Sequence, residues 1–595
     1  MSTITTTTGA EDVAWELSDI YAGPDDERLE ADLEDARSSA AAFRDRYRGR
    51  VGDLGATELA EAVVELERID GIVVRALAYA YLLFSTDTAD PVRGALLQRI
   101  RELEAALETE LLFFRLEWVV VSDDAAEALI GDPALGTYRH FLGSLRRYRP
   151  HLLSEAEERI LTEKSVTGST AWTRLYGELL TGLRVSLDGE EVPIEHALAR
   201  LQAADREVRR DAADAITAGL APGLRTRGFI FNALLLDKAT EDRLRNYSHW
   251  LAARNLSNET PDDTVEALVG AVVDRYDIPQ RYYRLKAKLL GIDRLADFDR
   301  MAPVSASATQ TSWEDATGLI VDAYASFSPE AGRIVSDFFE RRWVDAPVRP
   351  DKAIGAYCMT RVPGVHPYVL MNYTGDRRSV LTLAHELGHG LHGVLADDLG
   401  VFNSNTPLTM AETASVFGEA LTFRRLLEAE DDTARRLDLL IGRLDDAVAT
   451  VFRQIALNRF EDAVHTTRRS EGELSVDRFT ELWADTQAAM LGDSVEITEG
   501  YTTWWSYVPH FVVSPGYVYA YAYGYLFSLA IFRRYEVEGD SIVGPYLDLL
   551  RAGGSDSPER LAEIVGLDLT DRGLWAQGLE AMDELLAEAE EIAGR

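Results

Sequence analysis

The stretch Val380-Leu-Thr-Leu-Ala-His385-Glu386-Leu-Gly-His389-Gly-Leu-His392-Gly-Val394 decides how this 595-residue chain is read. Val380, Ala384, Leu387, Leu391 and Val394 recur at steps of four, three, four and three, which predicts an amphipathic helix with one apolar stripe packed on a core. At about 100° per residue, His385 and His389 lie only about 40° apart and well away from that stripe. Both imidazoles therefore leave one face, one turn apart, and can reach a single Zn2+ at about 2.0–2.1 Å each. Glu386 projects at another angle beside them, the position for a base that takes a proton from an attacking water. With 10 His in 595 residues, chance produces such a motif in roughly one chain in seventy of this composition, so a metal site outweighs coincidence.

A catalytic zinc takes three protein ligands and leaves a position for water. A His ten residues after His385 would mark a metzincin, and that position is Leu395. His392 shares the helix face but lies too far along it to join both other histidines, and reads as a supporting residue near the site. After a loop over 397–407, Leu408-Thr-Met-Ala-Glu412-Thr-Ala-Ser-Val-Phe-Gly-Glu419-Ala-Leu predicts a second helix, started by Thr406-Pro407. Glu412 and Glu419 are seven apart on one face, and position alone leaves them competitors for the third ligand place.

The rest of the composition narrows the partners. Against 61 Lys plus Arg stand 100 acids, a net charge of −39 that repels nucleic acid and anionic lipid alike, so neither nucleic acid nor membrane is expected as a partner. Only 5 of the basic residues are Lys, and this skew with the acidic excess resembles proteins of salt-loving organisms. Hydrophobic residues at 46% and aromatics at 9% belong to a folded chain. Cys358 is a single cysteine, and MSTITTTTGAEDVAW has neither a basic n-region nor an apolar run, which together predict a reducing, cytoplasmic setting. The charge-free run Phe511–Phe532 is broken by Ser514-Pro515-Gly516, and the 16 residues left from Tyr517 fall short of the roughly 20 that span a membrane. That run is expected to be buried or to line a cleft.

Organisation along the chain is mostly helical. Residues 1–12, rich in Thr, predict a disordered tail. Helical periodicity runs from Glu27 to about Leu116, and Asp188-Gly189 marks a turn, within a small hairpin, that predicts an internal boundary. Residues 13–195 thus read as an N-terminal helical region and 196–595 as a catalytic domain. Ala353-Ile-Gly-Ala-Tyr-Cys-Met and Pro367-Tyr-Val-Leu-Met-Asn-Tyr, on either side of Pro363-Gly364, predict a second hairpin. Leu574–Ala593 predicts an acidic amphipathic closing helix.

His385-Glu-Leu-Gly-His389 followed by Glu412-Thr-Ala-Ser-Val-Phe-Gly-Glu419 resembles the zinc core of the thimet oligopeptidase and oligoendopeptidase F family. The resemblance implies Glu412 as third ligand, with Glu419 behind the ligands, and one Zn2+ per chain. It implies that the hairpin with Gly355, Ala356, Tyr357 and Asn372 holds the peptide substrate along a strand edge, which main-chain hydrogen bonding permits. The block Pro509–Tyr525 resembles the family segment whose His and Tyr embrace the scissile carbonyl. Carried over, His510 and a tyrosine, Tyr517 ahead of Tyr521, donate to the developing oxyanion. The implied fold is mainly α, two helical lobes around a deep cleft with a small β-sheet beside a zincin His-Glu-x-x-His helix. The implied activity is zinc-dependent endopeptidase cleavage of short oligopeptides. The alternatives are a non-catalytic helical protein that captures peptides or keeps zinc for structure, and a carboxypeptidase on the same scaffold.

Overall fold

Apolar residues at helical spacing, with Asp and Ser caps at the starts, make most of the chain helix; the computed structural model, which describes residues 8–304 and 310–594, is mainly α. Two units interleave in sequence. One takes Met1–Arg149, Ala308–Glu428 and Ile531–Asp568, and the other Pro150–Ser307, Ala429–Ala530 and Leu569–Arg595.

The first unit begins with helices Glu27–Tyr47, Ala56–Ser85 and Pro91–Val120, packed on one another. Asp26 and Asp90 cap two of them, with Pro91 at the first helical position after Asp90. Leu29, Leu33, Ala36, Ala40 and Phe43 form the buried stripe of the first helix, and the Phe43 ring lies 5.9 Å from Phe113 and 5.8 Å from Phe114. Of the expected tail, residues 1–7 lie outside the described residues. Residues 8–12 are held in place: the Trp313 N–H donates to Thr8 O at 2.8 Å and Ala10 is buried.

Three helices of this unit, Trp313–Phe327, Pro329–Glu340 and Thr413–Glu428, lie against the motif helix Arg377–Ala396. Against the motif helix lies a three-stranded sheet whose central strand, Tyr368–Leu370, is wholly buried. Tyr357–Met359 pairs with it antiparallel, Cys358 opposite Val369, which is the predicted hairpin, with Gly364 at φ +76 in its connection. Val344–Asp345 pairs parallel on the other side, so Tyr357–Met359 is an edge strand.

In the second unit the core is aromatic, built around Phe231, Phe460, Phe479, Trp483, Trp505 and Phe511. The hairpin Arg184–Leu187 and Glu190–Pro193 turns at Asp188 (φ 56) and Gly189 (φ 83), the positive-φ pair that a two-residue hairpin turn requires. Its inward residues Val185 and Leu187 join that core, and the first boundary between the two compact units lies at Arg149. The closing helix Arg572–Gly594 buries Leu574, Leu579, Met582 and Leu586, while Asp583, Glu588 and Glu590 meet Arg275, Arg436 and Arg281. Much of Phe511–Phe532 is buried, and among the described residues no helix is long and apolar enough to cross a membrane.

Candidate active site

Asp376 starts the motif helix by accepting the Ser379 N–H at 2.7 Å. Val380, Ala384, Leu387 and Leu391 are buried as the stripe predicts, and Val394 is half-buried. That packing turns His385 and His389 to the other side, with ring centroids 5.0 Å apart and planes at 84°.

The second helix is divided where a single helix is expected. Leu408–Ala411 closes tightly, Met410 and Ala411 both donating to Pro407 O, and Thr413–Glu428 follows. Glu412 stands at the joint, at φ −81 and ψ 0. Two glycines let this pair of helices approach: a Cβ on Gly388 would stand 2.3 Å from Ala414 O, and one on Gly418 would stand 1.6 Å from the Tyr324 hydroxyl. Tyr324 Oη donates to Ala384 O at 2.7 Å and Tyr546 Oη to Thr413 O at 3.1 Å. Each pinned carbonyl neighbours in sequence a residue of the cluster, His385 or Glu412.

The result is convergence. Glu412 Oε2 lies 3.3 Å from His385 Nε2 and 3.5 Å from His389 Nε2, and one donor atom from each residue falls within 4.8 Å of the others. Burial by itself raises the Glu412 carboxyl, but the His385 hydrogen bond, the two imidazoles and the Ser415 hydroxyl outweigh it and hold the group at about 2. Burial pushes His389 down to about 4, which leaves a neutral imidazole at pH 7. Two imidazole nitrogens and one carboxylate are the donor set of a His2Glu zinc site, so the residues present fit the metal. Glu419 Oε2 lies 3.4 Å from His385 Nδ1, where a carboxylate fixes the tautomer and orientation of a metal-binding imidazole. His392 is buried outside this group, and among the described residues its Nε2 has no hydrogen-bond partner.

Glu386 is 7% exposed. Burial raises its carboxyl to about 7; the His385 charge and the Cys358 N–H oppose that rise, and Glu412 adds to it. Such a group can take up and give back a proton near neutrality. The Cys358 thiol is pushed well up by burial and by Glu386, which removes it as a competing nucleophile. Beside the edge strand, Asn372 Nδ2 donates to Ala353 O at 3.0 Å and to Gly355 O at 3.1 Å. Its amide nitrogen is therefore committed to the loop that presents Gly355 (φ +84) and Ala356 ahead of Tyr357.

In the second unit His510, Tyr517 and Tyr521 form their own group. The His510 and Tyr517 rings are parallel with centroids 6.0 Å apart, Tyr521 stands perpendicular to both, and its hydroxyl lies 3.4 Å from His510 Nε2. Burial and the Arg453 charge lower the His510 imidazole. Tyr517 precedes the helix Tyr519–Glu538 that carries Tyr521, and Tyr525 is buried beneath Arg443. The partners that spacing does not announce are Ser415, Tyr324, Tyr546 and the Cys358 N–H, each brought in by packing.

Comparison with known proteins bears on the family and the fold. The model of peptidase family M3 matches residues 321–581 and that of oligopeptidase F matches 117–184. Oligopeptidase PepF of Bacillus subtilis (strain 168) is 28% identical over 98% of this chain and 87% of its own length. Group B oligopeptidase PepB of Streptococcus agalactiae is 24% identical over 98% of each chain. The crystal structure of oligoendopeptidase-F from Enterococcus faecium superposes with a TM-score of 0.70 at 23% identity, covering 95% of this chain and 97% of that one. PZ peptidase A with an inhibitor gives 0.72 at 16% identity, over 94% and 97%. These two likenesses bear on the fold. Residues 321–581, which contain the His385–His389–Glu412 cluster, the edge strand and the His510 group, form a peptidase family M3 domain, and residues 117–184 match oligopeptidase F.

Proposed function

We propose that this chain is a zinc-dependent endopeptidase that hydrolyses short oligopeptides, with His385, His389 and Glu412 as the ligands of one Zn2+ per chain. The observation that carries the reading is the convergence of those three residues within 4.8 Å beside the buried Glu386. The bound ion would supply Lewis-acid activation of the attacking water and of the scissile carbonyl.

The chain's own residues do the rest. Glu386 takes the water's proton as its oxygen bonds to the carbonyl carbon; the C–N bond then breaks, and Glu386 returns that proton to the leaving amine. Glu419 holds His385 in its working tautomer. An extended peptide adds to the Tyr357–Met359 edge through main-chain hydrogen bonds, contacting Gly355, Ala356 and Tyr357, while Asn372 braces their loop. His510, with Tyr517 or Tyr521, donates to the developing oxyanion, a role that rests on the family resemblance.

The names of the relatives support short peptides as the substrate class, and the charge of −39 supports a reading without nucleic acid or anionic membrane as partner. Residues 196–595 are taken as the catalytic domain, 13–195 as the N-terminal helical region, and the cytoplasm as the setting. The test pairs metal analysis with peptide turnover. One zinc per chain is expected in both the parent protein and Glu386→Gln, with turnover in the variant lower by at least about 10²-fold. Full turnover in Glu386→Gln would contradict the mechanism.

A further inference from the structure

Glu461 is a buried acid that no ion pair holds among the described residues. It lies on the helix Arg453–Glu471 and is 1% exposed. Its Oε1 accepts the Gly516 N–H at 2.8 Å, and among the described residues its Oε2 has no hydrogen-bond partner. Burying a carboxyl for one backbone hydrogen bond is a poor exchange for stability alone, since a buried polar atom left unmatched costs free energy. The placement of that one bond is informative.

Gly516 ends the turn that joins His510 to Tyr517. Within it the Ser514 N–H donates to His510 O at 3.0 Å and the Tyr517 N–H to Ser514 O at 3.1 Å, so the turn ties the backbone at His510 to that at Tyr517. Gly516 has φ +75, and a Cβ there would stand 2.6 Å from Leu251 Cδ1. Arg254 Nε donates to Pro515 O at 3.4 Å from the neighbouring helix. The turn is thus clamped by Glu461 on one side and by Leu251 and Arg254 on another.

We propose that Glu461 is a positioning residue, whose hydrogen bond to Gly516 sets His510 and Tyr517 for their part in peptide hydrolysis. The inference rests on the transition-state role proposed above for those two residues. Burial raises the Glu461 carboxyl to about 8, so it carries a proton at neutral pH and Gln is its natural replacement.

The experiment is steady-state kinetics of the zinc-loaded full chain on an end-blocked fluorogenic peptide. Glu461→Gln keeps the acceptor and is expected within about threefold of the parent. Glu461→Met fills the same space without an oxygen acceptor; kcat should fall about 10–100-fold while KM shifts less than about threefold and zinc stoichiometry holds. Gly516→Ala, which strains the same contact from the other side, should reproduce the kcat loss. In a His510→Ala/Tyr517→Phe background, Glu461→Met should cost less than about twofold more, because the groups it positions are gone. An undiminished Glu461→Met loss in that background would overturn the role of Glu461 and leave the peptidase reading standing. Unchanged kcat in His510→Ala/Tyr517→Phe itself would overturn the donor role and this inference with it.

Discussion

Glu386 and Glu412 lie within each other's field and are driven in opposite directions, the first raised to about 7 by burial and the second held at about 2 by its partners. On the proposed assignment, one fold thereby keeps a proton-transferring carboxyl beside a charged ligand carboxylate. The assignment of ligand and supporter is testable by metal competition against a chelator. Glu412→Ala should lose the metal, whereas Glu419→Gln should weaken its affinity by about 10–100-fold, the usual size of an effect on a ligand's hydrogen-bond partner. Metal retained in Glu412→Ala but lost in Glu419→Gln would exchange the two roles. At this scale the two histidines and Glu386 are legible because their juxtaposition is set by one helix turn. Glu412 and Glu419 are not separable by spacing, since seven residues return to the same face; what separates them is the joint at Glu412, a feature of chain folding. The contacts of Ser415, Tyr324 and the Cys358 N–H link segments distant in sequence or depend on that joint, and no local pattern encodes them.

The crossing of the helices Arg377–Ala396 and Thr413–Glu428 depends on Gly388 and Gly418. A Cβ at Gly388 meets backbone, Ala414 O at 2.3 Å, which cannot be relieved by a rotamer change. Gly388→Ala should therefore force the helices apart, lowering stability by about 1–3 kcal/mol in denaturant unfolding and weakening metal binding together. A variant with parental stability and metal affinity would show that the crossing has slack. Both hairpins are legible as β-prone runs around Asp188-Gly189 and Pro363-Gly364. Val344–Asp345 is not, because two residues are too few to show a period and only pairing with Val369 and Leu370 makes them a strand. The break at Glu412 escapes for a similar reason: beyond Pro407 no Pro or Gly signals it, and it arises from the tight closure on Pro407 O.

Across the whole molecule, helical dominance follows from periodicity, but the interleaving of the units does not. Residues 531–568 return to the first unit and 569–595 to the second, a pairing of distant segments that local composition cannot announce. Net charge acts at this scale as well. With a net charge of −39 and a Debye length near 10 Å at about 0.1 M salt, neighbouring carboxylates are only partly screened. Thermal melts at constant zinc, from about 0.1 M to about 3 M KCl, should show a rising midpoint as screening shortens. A flat or falling midpoint would refute a salt-adapted surface without touching the catalytic assignment.

Metal-dependent cleavage of internal peptide bonds is the claim on which the rest depends, and product mapping tests it most directly. A library of short peptides blocked at both ends would be digested with and without a chelator, and the fragments identified by mass spectrometry. Internal cleavage that stops with the chelator and returns with added Zn2+ is the predicted result. Cleavage that persists in the chelator, or that appears only when an end is unblocked, would contradict it.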